Sequence, residues 1–339
     1  LETTKAACWD DVESSGSTPT LVALMEFCVL GDSGLRVSRL ALGMAFRGQT
    51  DEHIMEATVR RALDHGITFF DSANDYGRIP SAPYGGPSER ALGRAIAGCR
   101  DEVVITTKVG FELGPDRADP GGARPHIMRE IDQSLRRIGT DYVDIFLVHR
   151  RDPTTALEET VSAMADVVRQ GKARTWGICN FQAWEGATAL HHARRLGVAA
   201  PILMQNAYNL LDRGFEREML PFCRAERLGV MAYSPLALGL LTGFYRPGKP
   251  PPSGSLMAEE KRDVYDATFT EHSRRVLQVV EEIANVRACP PGHVALNWVL
   301  ARPEVSVAIV GCDTPEQVDA NMGATSWRVS DTERAELDA

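Results

Sequence analysis

The chain has 339 residues, 44% hydrophobic and 24% charged, close to the globular average, which excludes long disorder as its organising state. Its 46 acidic and 37 basic residues leave a formal charge of −9, so general binding to phosphate backbones or anionic lipid is excluded as well. At about 150 residues per domain the length allows two to three domains, although one α/β barrel also reaches this size.

In chain order, residues 1–24 set Lys5 against Glu2, Asp10, Asp11 and Glu13 and lack the basic start of a secretory signal. They are expected to be a disordered leader or an extension, ahead of a single domain over 25–339. The apolar run at 21–30 is short and broken by Glu26, so no membrane span is expected. Segment 26–38 predicts a hairpin turning at 31–34. From residue 39 onward, short runs rich in β-branched residues alternate with helical patterns. Strands are expected at 39–43, 67–70, 103–107, 143–148, 174–178, 202–205, 229–233 and 306–310. Most are apolar throughout, as parallel strands covered on both faces are.

Between the strands lie amphipathic stripes: Ile127, Ile131, Leu135 and Ile138; Leu157, Val161, Met164 and Val168; Val276, Val280 and Ile283. Pro87 and Ser88 open another helix, while Gly66 and Gly171 end two of them. Eight strands, each followed by a helix, fit a (β/α)8 TIM barrel better than an open sheet. The stretch 238–270, with Pro250, Pro251, Pro252 and Gly254, shows no strong period. It is expected to be a long loop after the seventh strand, serving as a lid or binding loop. The seven cysteines are odd in number, scattered, and without CxxC spacing, which reads as reduced thiols in a cytoplasmic protein. His191 and His192 are adjacent and do not share a helix face, so no metal site is expected.

In such a barrel the active site lies at the C-terminal ends of the strands. The second strand runs into Asp71, with Tyr76 five residues on; the third ends in Lys108 and the fourth in His149. Each has an ordinary explanation alone: an Asp caps a helix, a loop Tyr packs, a Lys snorkels, a His is satisfied in the core. Together they put four ionisable groups at one barrel mouth. A phenol has an ordinary pKa near 10, and a lysine ammonium within reach lowers it, with Asp71 holding Lys108 charged. His149 can donate a hydrogen bond to a carbonyl oxygen. The set makes a proton-donating site that lacks its own electron source.

The segment 66–77, Gly-Ile-Thr-Phe-Phe-Asp-Ser-Ala-Asn-Asp-Tyr-Gly, resembles the signature of the aldo-keto reductases. So do the segments ending in Lys108 and His149, Gly177 to Phe181, Gln205, 208–213, Tyr233 to Ala237, 239–243, Ile309 to Gly311, and Gln317 with Asn321. The resemblance covers nearly everything after Met25. It implies a barrel that binds NADP or NAD without a Rossmann fold, and no GxGxxG joins a strand to a helix here. By resemblance Tyr76 is the general acid, tuned by Lys108 and Asp71, and His149 orients the carbonyl of an aldehyde or ketone. Asn180 and Gln205 match carboxamide ligands, and Tyr233 the residue stacked on the nicotinamide. Ser234, Pro235, Leu236 and Gly239 begin the loop over the pyrophosphate, Gln317 and Asn321 match adenine contacts, and Gly43, Met44, Asp71, Cys179, Gly311 and Asp313 complete the cofactor set. Phe46, Tyr84 and Phe111 are expected to face the substrate.

Three positions depart from that family pattern: Cys179 replaces a common Ser, Asp313 a common Arg that grips the 2′-phosphate of NADP, and Phe244 a Lys. A carboxylate repels a phosphate dianion and accepts hydrogen bonds from ribose hydroxyls, so weakened NADP selectivity is expected. Arg246, Lys249 or another loop cation is the alternative source of the missing charge. Two other readings stand beside the reductase: a cofactor-sensing regulatory subunit with little turnover, and a Schiff-base aldolase using Lys108.

Overall fold

The computed structural model describes residues 25–77, 85–111 and 121–339. The expected leader and Tyr84 lie outside the described residues. A two-stranded antiparallel hairpin comes first, β1 (Phe27–Val29) and β2 (Arg36–Ser38), as segment 26–38 predicts. Eight strands then close a parallel barrel: β3 (Leu40–Gly43), β4 (Phe69–Asp71), β5 (Val104–Val109), β6 (Val143–Val148), β7 (Ala173–Cys179), β8 (Leu203–Ala207), β9 (Gly229–Tyr233) and β10 (Val307–Gly311). Each pairs with the next in sequence, and β10 returns to β3 with Gly311 opposite Gly43. All eight expected strands are present. Their ends shift by a residue or two, which places Asp71 and Lys108 inside strands rather than after them.

Strands apolar along their length have two faces to bury, and both are covered. Inward-facing Ala41, Phe69, Ile145, Leu147, Leu203, Met231, Val307 and Ile309 fill the barrel with Leu30 and Val37 of the hairpin. Leu30 is wholly buried, and the Asp32 amide donates to Arg227 O just before β9 begins, so the hairpin caps the N-terminal end of the barrel. The outer face packs against helices α1 (Glu52–Asp64), α2 (Pro87–Ala95), α3 (Arg124–Ile138), α4 (Leu157–Arg169), α5 (Ala183–Leu196) and α6 (Met219–Glu226). The predicted stripes face inward: Ile127, Ile131, Leu135 and Ile138 on α3, and Leu157, Val161 and Met164 on α4, are buried.

The 238–270 stretch is the long loop expected after the seventh barrel strand, with short turns of helix inside it. It holds a 3-10 segment, Ala237–Thr242, and two short helices, α7 (Leu256–Glu259) and α8 (Arg262–Tyr265). Tyr265 is fully buried between Tyr245 and Phe269, with ring centroids at 5.8 and 5.2 Å. Anchoring by irregularly spaced aromatics carries no period, which is why the sequence pattern is silent there. Three more helices follow: α9 (Glu271–Arg287), α10 (Pro291–Leu300) and α11 (Pro315–Met322), before a terminal α12 (Asp331–Asp338). No described helix is long and apolar enough to cross a membrane, and Cys28, Cys179, Cys223, Cys289 and Cys312 are free thiols.

Candidate active site

Hydrogen bonding at the ends of β4 and β5 gathers the chemistry. Lys108 is wholly buried, and an ammonium there has three protons to place. One goes to Asp71 Oδ2 at 2.7 Å, one to Ser72 O at 2.8 Å, and one to the Tyr76 hydroxyl at 3.2 Å. Asp71 is satisfied in turn: its Oδ1 accepts from Thr106 Oγ1 at 2.5 Å and Gln205 Nε2 at 2.8 Å. The loop carrying Tyr76 is fixed from behind. Asn74 Nδ2 donates to the buried Glu130 of α3 at 3.0 Å, Ser72 Oγ meets Ser88 Oγ of α2 at 2.8 Å, and the Gly77 amide donates to Ala45 O at 3.2 Å. His149 completes the four. Its Nδ1 stands 3.3 Å from Asp75 Oδ1, and its ring meets Tyr76 and Phe111 edge-on, with centroids at 5.5 and 4.8 Å.

The electrostatics differ from the expectation in one respect. Burial raises the Tyr76 pKa above the usual phenol value; the Lys108 ammonium pulls it down, and the carboxylates of Asp71 and Asp75 push it up again. The expected lowering by lysine is present but outweighed, because desolvating a phenolate costs more than one ammonium shared with Asp71 returns. Burial opposes the Lys108 charge too, but Asp71 and Tyr76 outweigh it, so the lysine stays protonated. Burial holds His149 below its ordinary value despite Asp75, which makes it neutral at pH 7.

A cavity of about 970 Å³ opens over this cluster and runs past the ends of β7, β8, β9 and β10. Of the expected cofactor residues, Gly43, Asp71, Cys179, Asn180, Gln205, Tyr233, Ser234, Pro235, Leu236, Gly239, Gly311, Asp313, Gln317 and Asn321 line it. Tyr76, His149, Phe46 and Phe111 line it as well. Two residues stand apart. Met44 is in the core beneath the rim, its amide donating to Asp71 O at 3.0 Å, and Lys108 lies behind Tyr76. Several amides already have protein partners. Gln205 Oε1 accepts from Cys179 Sγ at 3.3 Å, and Asn180 bridges His149 O, at 3.0 Å, and the Tyr233 hydroxyl, at 2.7 Å. Burial pushes the Cys179 thiol up, as befits a packing residue rather than a nucleophile.

Phe46, Asn180, Ser234 and Leu238 carry left-handed φ of 46, 61, 54 and 56° and all line the cavity. Strained backbone in non-glycine residues clusters where a site demands it. Sequence reading missed Asp75, which was in plain view inside the 66–77 segment, and Arg47, Gly48 and Gln49, whose only signal is their place just past the first barrel strand. Missed as well were Tyr245, Ser253 to Leu256, Pro290, Gly292 and His293, which reach the cavity only through the fold of the 238–270 stretch and α10. Among the described residues no cluster suits a metal ion.

A parallel eight-stranded barrel with a phenol, an ammonium and a carboxylate bonded together at the C-terminal mouth defines an enzyme barrel of the TIM type. Residues 39–339 match the profile described as the Aldo/keto reductase family. The chain is 35% identical to L-glyceraldehyde 3-phosphate reductase of Escherichia coli K12, over 95% of this chain and 94% of that protein. It is 35% identical to a putative voltage-gated potassium channel subunit beta of Schizosaccharomyces pombe, over 89% and 88%. It is 29% identical to an aldo-keto reductase of Bacillus subtilis, over 92% of each. The chain belongs to the aldo/keto reductase family and is an oxidoreductase.

Proposed function

We propose that the protein reduces the carbonyl of a small aldehyde or ketone, reversibly, with NADH or NADPH seated in the cavity over Tyr76. What carries the reading is the Lys108 ammonium, bonded at once to Asp71 and to the Tyr76 hydroxyl at the cavity floor. The cavity suits a dinucleotide in size, and Gly43 and Gly311, paired across β3 and β10, leave bare backbone on its wall. The nicotinamide, when bound, supplies hydride to the carbonyl carbon. Tyr76 gives its proton to the carbonyl oxygen, yielding the alcohol, and is reprotonated from solvent. Lys108 eases that transfer by stabilising charge on the phenol oxygen, and Asp71 holds Lys108 in place. His149 faces the carbonyl oxygen from beside Tyr76, and Phe46 and Phe111 give the substrate an apolar wall. Asn180 and Gln205 offer amides to a carboxamide, Tyr233 offers its ring face, and Gln317 and Asn321 lie toward the adenine.

Asp313 supports weakened NADP selectivity. It lines the cavity, and Arg246, an expected source of compensating charge, is paired with Glu281 instead. The aldolase alternative finds no support, because Lys108 is buried, protonated and fully bonded, the reverse of an amine nucleophile. A regulatory reading rests on the likeness to a protein described as a channel subunit. One experiment separates these: turnover of an aldehyde and ketone panel with both cofactors, with Tyr76→Phe beside the wild type. The variant is expected to lose at least ~100-fold in kcat while keeping cofactor affinity. Near-normal turnover in the variant overturns Tyr76 as the acid. Wild-type binding without turnover favours the regulatory reading, and a hundredfold preference for NADPH overturns the selectivity argument.

A further inference from the structure

A dinucleotide brings two phosphate charges into this cavity, and the walls offer little to meet them. Among the described lining residues the carboxylates are Asp71, Asp75 and Asp313, and Arg47 is the single Lys or Arg. The lining part of the 234–256 segment contributes no cation: Phe244 faces the cavity, and Arg246 is turned aside to Glu281. An anionic diphosphate among carboxylates needs a counter-charge, and the planar guanidinium is the side chain best shaped to grip phosphate oxygens.

Arg47 also stands in the right place. It lines the cavity between Phe46 and Gly48, and its positive charge acts on two other lining residues, Tyr233 and Asp313. It is exposed, and among the described residues its guanidinium has no ion-pair partner. The loop that carries it is held across the cleft. Phe46 turns the chain at a φ of 46°, the Gly48 amide donates to Asp313 Oδ2 at 3.0 Å, and Gln49 Nε2 donates to Asp313 O at 3.4 Å. The fit is close: a Cβ on Gly48 would stand 2.9 Å from that same carboxylate oxygen. Asp313 therefore has work to do before any cofactor arrives, clipping the end of β3 to the turn after β10.

We propose that residues 46–49 form a strap, clipped by Asp313, whose Arg47 grips the cofactor diphosphate. The inference rests on the nicotinamide reading above and adds to it the residue that supplies the charge. Binding of NADH, NADPH, ADP and adenosine to the full chain, by calorimetry at two salt concentrations, tests it with Arg47→Gln and Arg47→Lys. In Arg47→Gln, affinity for NADH, NADPH and ADP is expected to fall by a common factor of roughly 10 to 100 and to lose part of its salt dependence. Adenosine, with no phosphate, is expected to bind both proteins alike, and Arg47→Lys to recover part of the loss. A loss confined to NADPH would place Arg47 on the 2′-phosphate and overturn the proposal. Unchanged affinity for all three phosphorylated ligands overturns it alone, whereas a wild-type chain that binds no dinucleotide removes the nicotinamide reading itself.

Discussion

Tyr76 is subject to two opposed effects, and which one wins fixes how the enzyme responds to pH. Burial and the nearby carboxylates hold its proton on, while the Lys108 ammonium at 3.2 Å pulls the other way. With the phenol pKa raised, Tyr76 stays protonated through the whole range in which a lysine-lowered phenol would ionise. His149, held below its ordinary value, is already neutral at pH 7 and does not change there. For reduction, kcat/KM should therefore vary by less than about threefold between pH 7 and 9.5, since burial moves Tyr76 up and His149 down, both away from that window. A fall centred near pH 8 would mean that the ammonium outweighs burial. All four members of the cluster were readable as residue types at strand ends. Their net electrostatic balance was not, because it depends on how little water reaches them.

At the scale of elements, the loop that carries Tyr76 is only as firm as the helices behind it. Helix α2 supplies Ser88 to Ser72 and Glu89 to Thr107 Oγ1, the latter at 2.5 Å, next in sequence to Lys108. It can approach α3 because Gly93 has no side chain: a Cβ there would stand 2.1 Å from Ile138 O. Gly93→Ala gains about 1 kcal/mol of intrinsic helix preference. It must also push two backbones apart, and overpacking of that kind costs roughly 1–3 kcal/mol. We expect a net loss, read as a lower urea midpoint at unchanged slope, together with reduced kcat as Ser88 and Glu89 shift; an equal or higher midpoint would refute the close-packing argument. The amphipathic α3 and α4 were legible from their stripes. Helix α10 was not, because every position from Gly292 to Leu300 is buried, the polar His293 and Asn297 included, and a helix covered all round has no solvent face to betray it.

For the whole molecule, the barrel separates stability from chemistry along its axis. Leu30 plugs the N-terminal end, packed in the interior cluster with Met231 and Val307, while the cavity opens at the other. Leu30→Ala should cost about 2–5 kcal/mol of unfolding free energy by leaving a void in the barrel floor. It should leave kcat/KM within about twofold at temperatures where the variant is folded. A large loss of activity in a fully folded variant would show that the two ends are coupled.

The sequence alone settled the fold and named the groups proposed to react. Solid apolar runs demand strands covered on both faces, and an Asp, a Tyr, a Lys and a His at three successive strand ends have one place to meet once those strands are parallel. Tertiary structure decided what local patterns do not encode. Barrel closure brings Asp313 to Gly48 across 265 positions of chain, and aromatic anchors fold the 238–270 stretch. Exclusion of water then turned a phenol expected to be acidic into one that keeps its proton, since desolvation is a property of the surroundings and not of the residue.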